Sequence, residues 1–275
     1  MTAECGICPH ACRIEEGHRG FCGARANRGG KIVDENYGML TSLALDPIEK
    51  KPLRRFFPGS LVLSAGSYGC NFRCPFCQNY EISMADGEKS GAVFVSPEAL
   101  AQKALELRPR GNIGLAFTYN EPLISYEYVR DCSRLNRGNG MKNVVVTNGY
   151  VCEKPLRELL PLVDAMNIDL KSFSEEFYRK IGGGLEDVKR TISIAAKECH
   201  VEVTTLIVPG ENDSPGEMER LSEWLAGVGG EIPLHVTRFF PRYQMRDKEP
   251  TPAEEVYSLA DVARKSLRYV YEGNC

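Results

Sequence analysis

Residues 69–79 read Gly69-Cys70-Asn71-Phe72-Arg73-Cys74-Pro75-Phe76-Cys77-Gln78-Asn79. Three cysteines at C-x3-C-x2-C spacing follow an apolar run, Leu61–Ser64, that reads as a buried strand. Three thiolates this close cannot all pair with one another as disulfides. They suit three corners of one inorganic cluster, which leaves a fourth iron open to bind and activate a substrate; a closed set of four would suit electron transfer or structure. The alternative is a structural zinc knuckle.

Outward from this motif, the chain alternates strand-like and helix-like runs, the pattern of parallel βα units. Strands are expected at Leu61–Ser64, Ile113–Thr118, Asn143–Thr147, Ala165–Leu170, Val201–Val208 and Leu234–Phe239. Ser96-Pro97-Glu98 reads as an N-cap followed by proline at the first helical position. Ser214-x-x-Glu217 and Thr251-x-x-Glu254 have capping-box spacing. The stripes Met218, Leu221, Leu225 and Val256, Leu259, Ala260, Ala263, Leu267 are core faces. Polar or turn residues close every strand: the cysteine motif, Tyr119-Asn120-Glu121-Pro122, Thr147-Asn148-Gly149, Asp169 with Lys171, Val208-Pro209-Gly210 and Arg238. Active sites of βα barrels are assembled at that end. Six units predict a partial (β/α)6 TIM-like barrel over residues 61–275, open along one side, preceded by a loop-rich, Cys-rich segment over residues 1–60.

The 275 residues are 43% hydrophobic and 26% charged, enough to bury a core, and the formal net charge of -3 gives no indication of nucleic-acid binding. No apolar stretch approaches the roughly 20 residues of a membrane span, and no signal-peptide pattern opens the chain. Eleven cysteines without an export signal point to a reducing, cytoplasmic setting and to metal chemistry. An exposed cluster further suggests an oxygen-poor cell.

The cysteine spacing, with aromatic Phe72 and Phe76, resembles the signature of the radical SAM superfamily. That resemblance implies a [4Fe-4S] cluster on Cys70, Cys74 and Cys77 that cleaves S-adenosylmethionine reductively to a 5′-deoxyadenosyl radical. The protein's share of such chemistry is binding, orientation and electrostatics. An ammonium beside the cluster wants a carboxylate, which Glu121 offers; a methionine carboxylate wants a cation, which Lys171 offers; ribose hydroxyls want acceptors such as Asp169 and Asn148. The chain is similar in particular to pyruvate formate-lyase activating enzymes. Their Gly-Gly-Glu-Pro-like motif is matched by Thr118-Tyr119-Asn120-Glu121-Pro122, with both glycines replaced, and their Asp-x-Lys motif by Asp169-Leu170-Lys171. Their Asp-Thr-Asn-Gly turn is matched from Thr147 onward. Val146 stands where the aspartate would be, so a monovalent-cation site does not carry over. The cofactor-binding residues implied are thus Phe76, Asn120, Glu121, Thr147, Asn148, Asp169 and Lys171, with no catalytic residue beyond the cluster.

A fuller resemblance is to the AmmeMemoRadiSam-system radical SAM enzymes. It rests on Cys5-x2-Cys8-Pro9-His10-x-Cys12, Gly20-Phe21-Cys22-x-x-Arg25-x-Asn27, Asp46-Pro47-Ile48-Glu49-Lys50-Lys51-Pro52 and Pro58-Gly59-Ser60. Further matches are Cys77-Gln78-Asn79-x-x-Ile82-Ser83, Val146-Thr147-Asn148-Gly149-Tyr150 and Tyr269-Val270-Tyr271-x-Gly273-Asn274. Longer members of the family continue with a further cysteine pair, so a C-terminal metal knuckle is expected to be absent or truncated at Cys275.

Cys5, Cys8, Cys12 and Cys22 form a second constellation, C-x2-C-x3-C-x9-C, suited to zinc or an auxiliary iron–sulfur cluster. A segment too short and Gly-rich to build its own core gains from such a staple. His10 and His18 read as surface or hydrogen-bonded residues, and Cys132 as a small buried hydrophobe. The run Lys50-Lys51-Pro52-Leu53-Arg54-Arg55 reads as a solvated loop, with phosphate or polymer binding as the alternative. Arg238, Arg242 and Tyr243 read either as a surface loop or as cofactor contacts. A one-electron donor such as flavodoxin or ferredoxin is implied, together with an unidentified substrate or partner protein. Two rival functions stay open: installation of a glycyl radical on a partner enzyme, and a non-catalytic electron carrier or metal-stabilised interaction module. The strand-end set Glu121, Asp169 and Lys171 speaks against the last.

Overall fold

The computed structural model describes residues 1–87 and 89–275. Its central sheet comprises, in chain order, β1 (Ser42–Pro47), β2 (Leu61–Gly66), β3 (Asn112–Phe117), β4 (Lys142–Thr147), β5 (Ala165–Asp169), β6 (His200–Ile207), β7 (Leu234–Arg238) and β8 (Val270–Gly273). Strands β2 to β8 run parallel in sequential order, and β1 pairs antiparallel with β2 at the far edge. Among the described residues no ladder joins β1 to β8. All six expected strands form, each within two residues of its expected ends. The sequence reading missed β1 and β8. Both are edge strands, neither is a buried apolar run, and β1 ends in proline.

Helices α1 (Pro97–Glu106), α2 (Tyr126–Gly138), α3 (Glu153–Leu159), α4 (Glu175–Lys180), α5 (Leu185–Ala195), α6 (Pro215–Val228) and α7 (Ala253–Ala263) fill the connections. Ser96 caps α1 by accepting the Ala99 N–H, and Ser214 caps α6 by accepting that of Glu217, as their spacing predicts. Thr251 does not cap α7: its hydroxyl donates to the Ile207 carbonyl at 2.6 Å, and Pro252 takes the cap position. The Glu217 side chain likewise leaves its own helix start and accepts from Ser172 Oγ at 2.6 Å and Phe173 N at 2.7 Å. A tertiary partner has overridden the local one in both places.

Alternation along the strands sorts the core. Leu63, Leu115, Val145 and Met166 pack with helix residues such as Leu100, Ala104 and Tyr128. Val62, Ala116, Val144 and Ala165 point the other way and are covered by Ile48, Leu53 and Phe56. Part of the segment read as Cys-rich, residues 42–60, thus serves the sheet: first as β1, then as a cover on its inner face. That cover is fastened by its main chain. Glu202 on β6 accepts the Arg54 and Arg55 N–H groups at 3.0 and 2.8 Å, and Asn167 Nδ2 donates to the Pro52 carbonyl at 2.9 Å.

Ahead of the sheet lie two antiparallel ribbons, Thr2–Glu4 with Arg13–Glu15 and Arg25–Arg28 with Lys31–Asp34. Arg25, buried, ties them to α2 by an ion pair with Glu127, and Asn27 Nδ2 donates to the Ile14 carbonyl at 2.8 Å. Among the described residues no helix is long and apolar enough to cross a membrane.

Candidate active site

At the C-terminal ends of the parallel strands a cavity of about 790 Å³ opens. Cys70, Cys74 and Cys77 line it together with Phe76, Asn120, Glu121, Thr147, Asn148, Asp169 and Lys171, so the structure gathers every residue expected of the cluster and cofactor site. These residues arrive on different loops because a parallel sheet delivers each strand end to the same side.

The donor set fits a cluster. Burial pushes the Cys74 thiol up to about 12 and that of Cys70 well above the ordinary thiol range. Such thiols become thiolates only when a metal compensates them. Lys171 beside Cys74 pulls in the helpful direction, and Cys70 Sγ accepts from Phe72 N at 3.4 Å and Asn148 Nδ2 at 3.8 Å. Among the described residues no three His, Cys, Asp or Glu side chains converge to hold a metal ion as they stand. A four-iron cube spreads its thiolates more widely than one ion does.

The polar residues divide into struts and available groups. Asn120 accepts the Ser67 N–H at 2.9 Å and donates to the Tyr68 and Gly69 carbonyls, each at 3.1 Å, bracing the loop that leads into Cys70. Asn148 donates to Asn71 Oδ1 at 2.8 Å and accepts the Tyr150 N–H at 2.9 Å, joining the end of β4 to the cysteine loop. Glu121 accepts Thr147 Oγ1 and the Asn148 N–H, both at 2.7 Å, and the Leu123 N–H at 2.9 Å. Among the described residues it has no cationic partner, and burial raises its carboxyl to about 7 despite those donors. A buried carboxylate of this kind, on a cavity wall, suits an arriving ammonium. Lys171 pairs with Asp169 at 2.8 Å; burial works against its charge, but Asp169 and Cys74 outweigh that and raise its pKa.

A family model of the radical SAM superfamily matches residues 65–225, from the end of β2 into α6. The chain belongs to the radical SAM superfamily. It is 42% identical over 274 residues to an uncharacterized protein of Methanocaldococcus jannaschii, covering 98% of this chain and 80% of that one. It is 28% identical over 203 residues to the pyruvate formate-lyase 1-activating enzyme of Escherichia coli (strain K12), covering 70% and 79%. Its fold matches that of TYW1 solved with a lysine-pyruvate adduct, with a TM-score of 0.58 at 17% identity over 82% of this chain and 83% of that one. As a radical SAM protein it is an enzyme that uses a [4Fe-4S] cluster and S-adenosylmethionine.

Three features of this radical SAM site escaped the sequence reading. Lys51 is not a solvated loop residue: its side chain is 3% exposed, bonds Asp46 Oδ2 at 2.8 Å and lies 4.6 Å from the Tyr119 ring centroid. Tyr119 itself has φ of +73°, which turns its hydroxyl to Asp46 at 2.6 Å. Burial opposes ionisation of Asp46, but Lys51 and Tyr119 hold its carboxyl at about 2. The available signal was tyrosine in place of a glycine. Asn71 is the third, buried beside Cys70 with its Nδ2 donating to the Tyr150 carbonyl at 2.7 Å. Arg238 and Tyr243 turn elsewhere, Arg238 to the Thr251 carbonyl at 2.6 Å and Tyr243 onto the Tyr80 ring at 4.7 Å. His10 is hydrogen-bonded, with Nε2 2.9 Å from the Asn71 carbonyl, and Cys132 is fully buried.

Proposed function

We propose that Cys70, Cys74 and Cys77 ligate the cluster and that Phe76, Asn120, Glu121, Thr147, Asn148, Asp169 and Lys171 shape the S-adenosylmethionine site over residues 61–275. When bound, the cluster and S-adenosylmethionine supply the electron and the 5′-deoxyadenosyl radical that modifies a substrate. Glu121 receives the methionine ammonium, and Lys171 its carboxylate. Asp169 faces the ribose, and Phe76 excludes water from one wall. Asn120, Thr147 and Asn148 hold these groups in place. The observation that carries this reading is a buried carboxylate, without a cation among the described residues, in the same cavity as three unpaired cysteines.

The Asp46–Lys51–Tyr119 group lines the same cavity and offers polar contacts to a substrate there. Flavodoxin or ferredoxin in the cytoplasm supplies the electron. The segment 1–60 adds a metal site on Cys5, Cys8, Cys12 and Cys22, with zinc or an auxiliary cluster as its occupant. Activation of a glycyl-radical partner is a second reading, favoured by the likeness to the activating enzyme and opposed by Tyr119, which fills space that glycine would leave. A glycyl signal by electron paramagnetic resonance, after mixing with candidate partners, would decide for it. The primary test is anaerobic reconstitution followed by assay of 5′-deoxyadenosine: Cys74→Ala is expected to form none, and full activity in that variant would sink the assignment.

A further inference from the structure

The four N-terminal cysteines lie outside the cavity that gathers Cys70, Cys74 and Cys77, yet they too are brought together. Cys5, Cys8, Cys12 and Cys22 line one cavity of about 10 Å³, and none is in a disulfide. Three of them are buried and Cys12 is half-buried. The main chain already folds the stretch from Cys5 to Cys12 back on itself: the Cys5 N–H donates to the Cys12 carbonyl at 3.0 Å and the Ala11 N–H to the Cys8 carbonyl at 3.1 Å. Although no three of the side chains converge as they stand, the space between them is about that of one water molecule. That is room for one ion after small side-chain rotations, and too little for a four-iron cube.

The site also touches the cluster loop directly. The Cys70 N–H donates to the Cys22 carbonyl at 3.2 Å. The Asn71 carbonyl meets His10 Nε2 at 2.9 Å. Arg73 donates to the Phe21 carbonyl and lies 4.1 Å from that ring's centroid. Gly69, with φ of +83°, permits this approach, since a Cβ there would stand 2.5 Å from the Cys22 carbonyl oxygen.

We propose that Cys5, Cys8, Cys12 and Cys22 bind one zinc ion that clamps the N-terminal ribbons onto the loop carrying Cys70, Cys74 and Cys77. Four thiolates close the ion's coordination, so it is structural and takes no electron. The clamp function rests on the radical SAM reading of that loop; the zinc site does not.

The test removes the radical cluster first. The full-length Cys70→Ala/Cys74→Ala/Cys77→Ala variant is expected to hold about one zinc per chain and neither iron nor sulfide. Iron with sulfide in that variant, or no metal at all, would overturn the site. Should the variant not fold, X-ray absorption at the zinc edge of the unaltered chain is expected to show four sulfurs at about 2.3 Å; nitrogen or oxygen ligands would overturn it. Cys12→Ser is expected to lose zinc and to raise amide hydrogen exchange over residues 69–77 by at least about tenfold. Zinc loss without faster exchange there would overturn the clamp. Failure of the radical SAM reading has a different signature: an unaltered chain, fully loaded with iron, zinc and reductant, that cleaves no S-adenosylmethionine.

Discussion

Two buried glutamates, one on β6 and one in the loop after β3, are held in opposite states. Glu202, on β6, accepts the Arg54 and Arg55 N–H groups and the rings of His200 and His235, 2.9 and 2.6 Å away. Burial raises its pKa, but these four donors win and hold the carboxyl at about 2. Glu121, after β3, accepts two N–H groups and a hydroxyl, and burial wins, leaving it at about 7. Desolvation is the largest influence on both; what differs is that Glu202 has four donors, two of them histidine rings, whereas Glu121 has three and the Asp169 carboxylate pushes its pKa further up. A complete donor set makes a fastener, whereas an incomplete one on a cavity wall leaves a carboxylate with use for a cation from outside.

The comparison breaks first at the fastener. Glu202→Ala leaves two buried N–H groups and two histidines without an acceptor, and is expected to cost about 3–5 kcal/mol in urea unfolding. A loss under about 1 kcal/mol would show that the cover on the inner face holds by apolar packing alone.

Acid probes the same group with a definite sign. Its folded pKa, about 2, lies below its ordinary 4.5. The carboxylate's stabilisation, about 3 kcal/mol, is therefore present above pH 4.5 and lost as pH falls toward 2. The stability gap between the unaltered chain and Glu202→Gln, followed by denaturant titration at stepped pH, is expected to shrink over that window. A gap constant with pH would mean that Glu202 is not ionised in the fold.

At the other glutamate, Glu121→Gln is expected to weaken S-adenosylmethionine binding to the cluster-loaded protein by about 10- to 100-fold, the loss of one charge-assisted contact. Calorimetry under anaerobic conditions measures this. Equal affinity would reduce Glu121 to a strut for Thr147 and Asn148. The smallest effect is sought between the two: Tyr119→Phe removes the hydroxyl donated to Asp46 and is expected to cost about 1 kcal/mol, again by urea unfolding. A neutral result would show that Lys51 alone satisfies that carboxylate.

Much of this was legible in the sequence. Parallel strands buried on both faces read as apolar runs, which is why β2 to β7 were found; edge strands β1 and β8 lack that signal. The cysteine triad and the strand-end polar residues, legible from spacing, come together in one cavity. Hidden was the division of labour among them. Whether Asn120 binds a cofactor or braces Ser67, Tyr68 and Gly69 depends on contacts across more than fifty positions, and no local spacing reports it. Lys51 was concealed by company, since Lys50 and Arg54 on either side are exposed while it is buried.

The cover formed by residues 48–56 has one more consequence. Its fastenings, the Pro52 carbonyl and the Arg54 and Arg55 amides, belong to the main chain and are indifferent to the side chains those positions carry. Glu49, Lys50 and Arg54 nonetheless line the cavity shared by Cys70, Cys74 and Cys77. The molecule therefore has an interchangeable panel: the side chains of Lys50 and Arg54 can change and recut the cavity wall while the attachment beneath it stays the same.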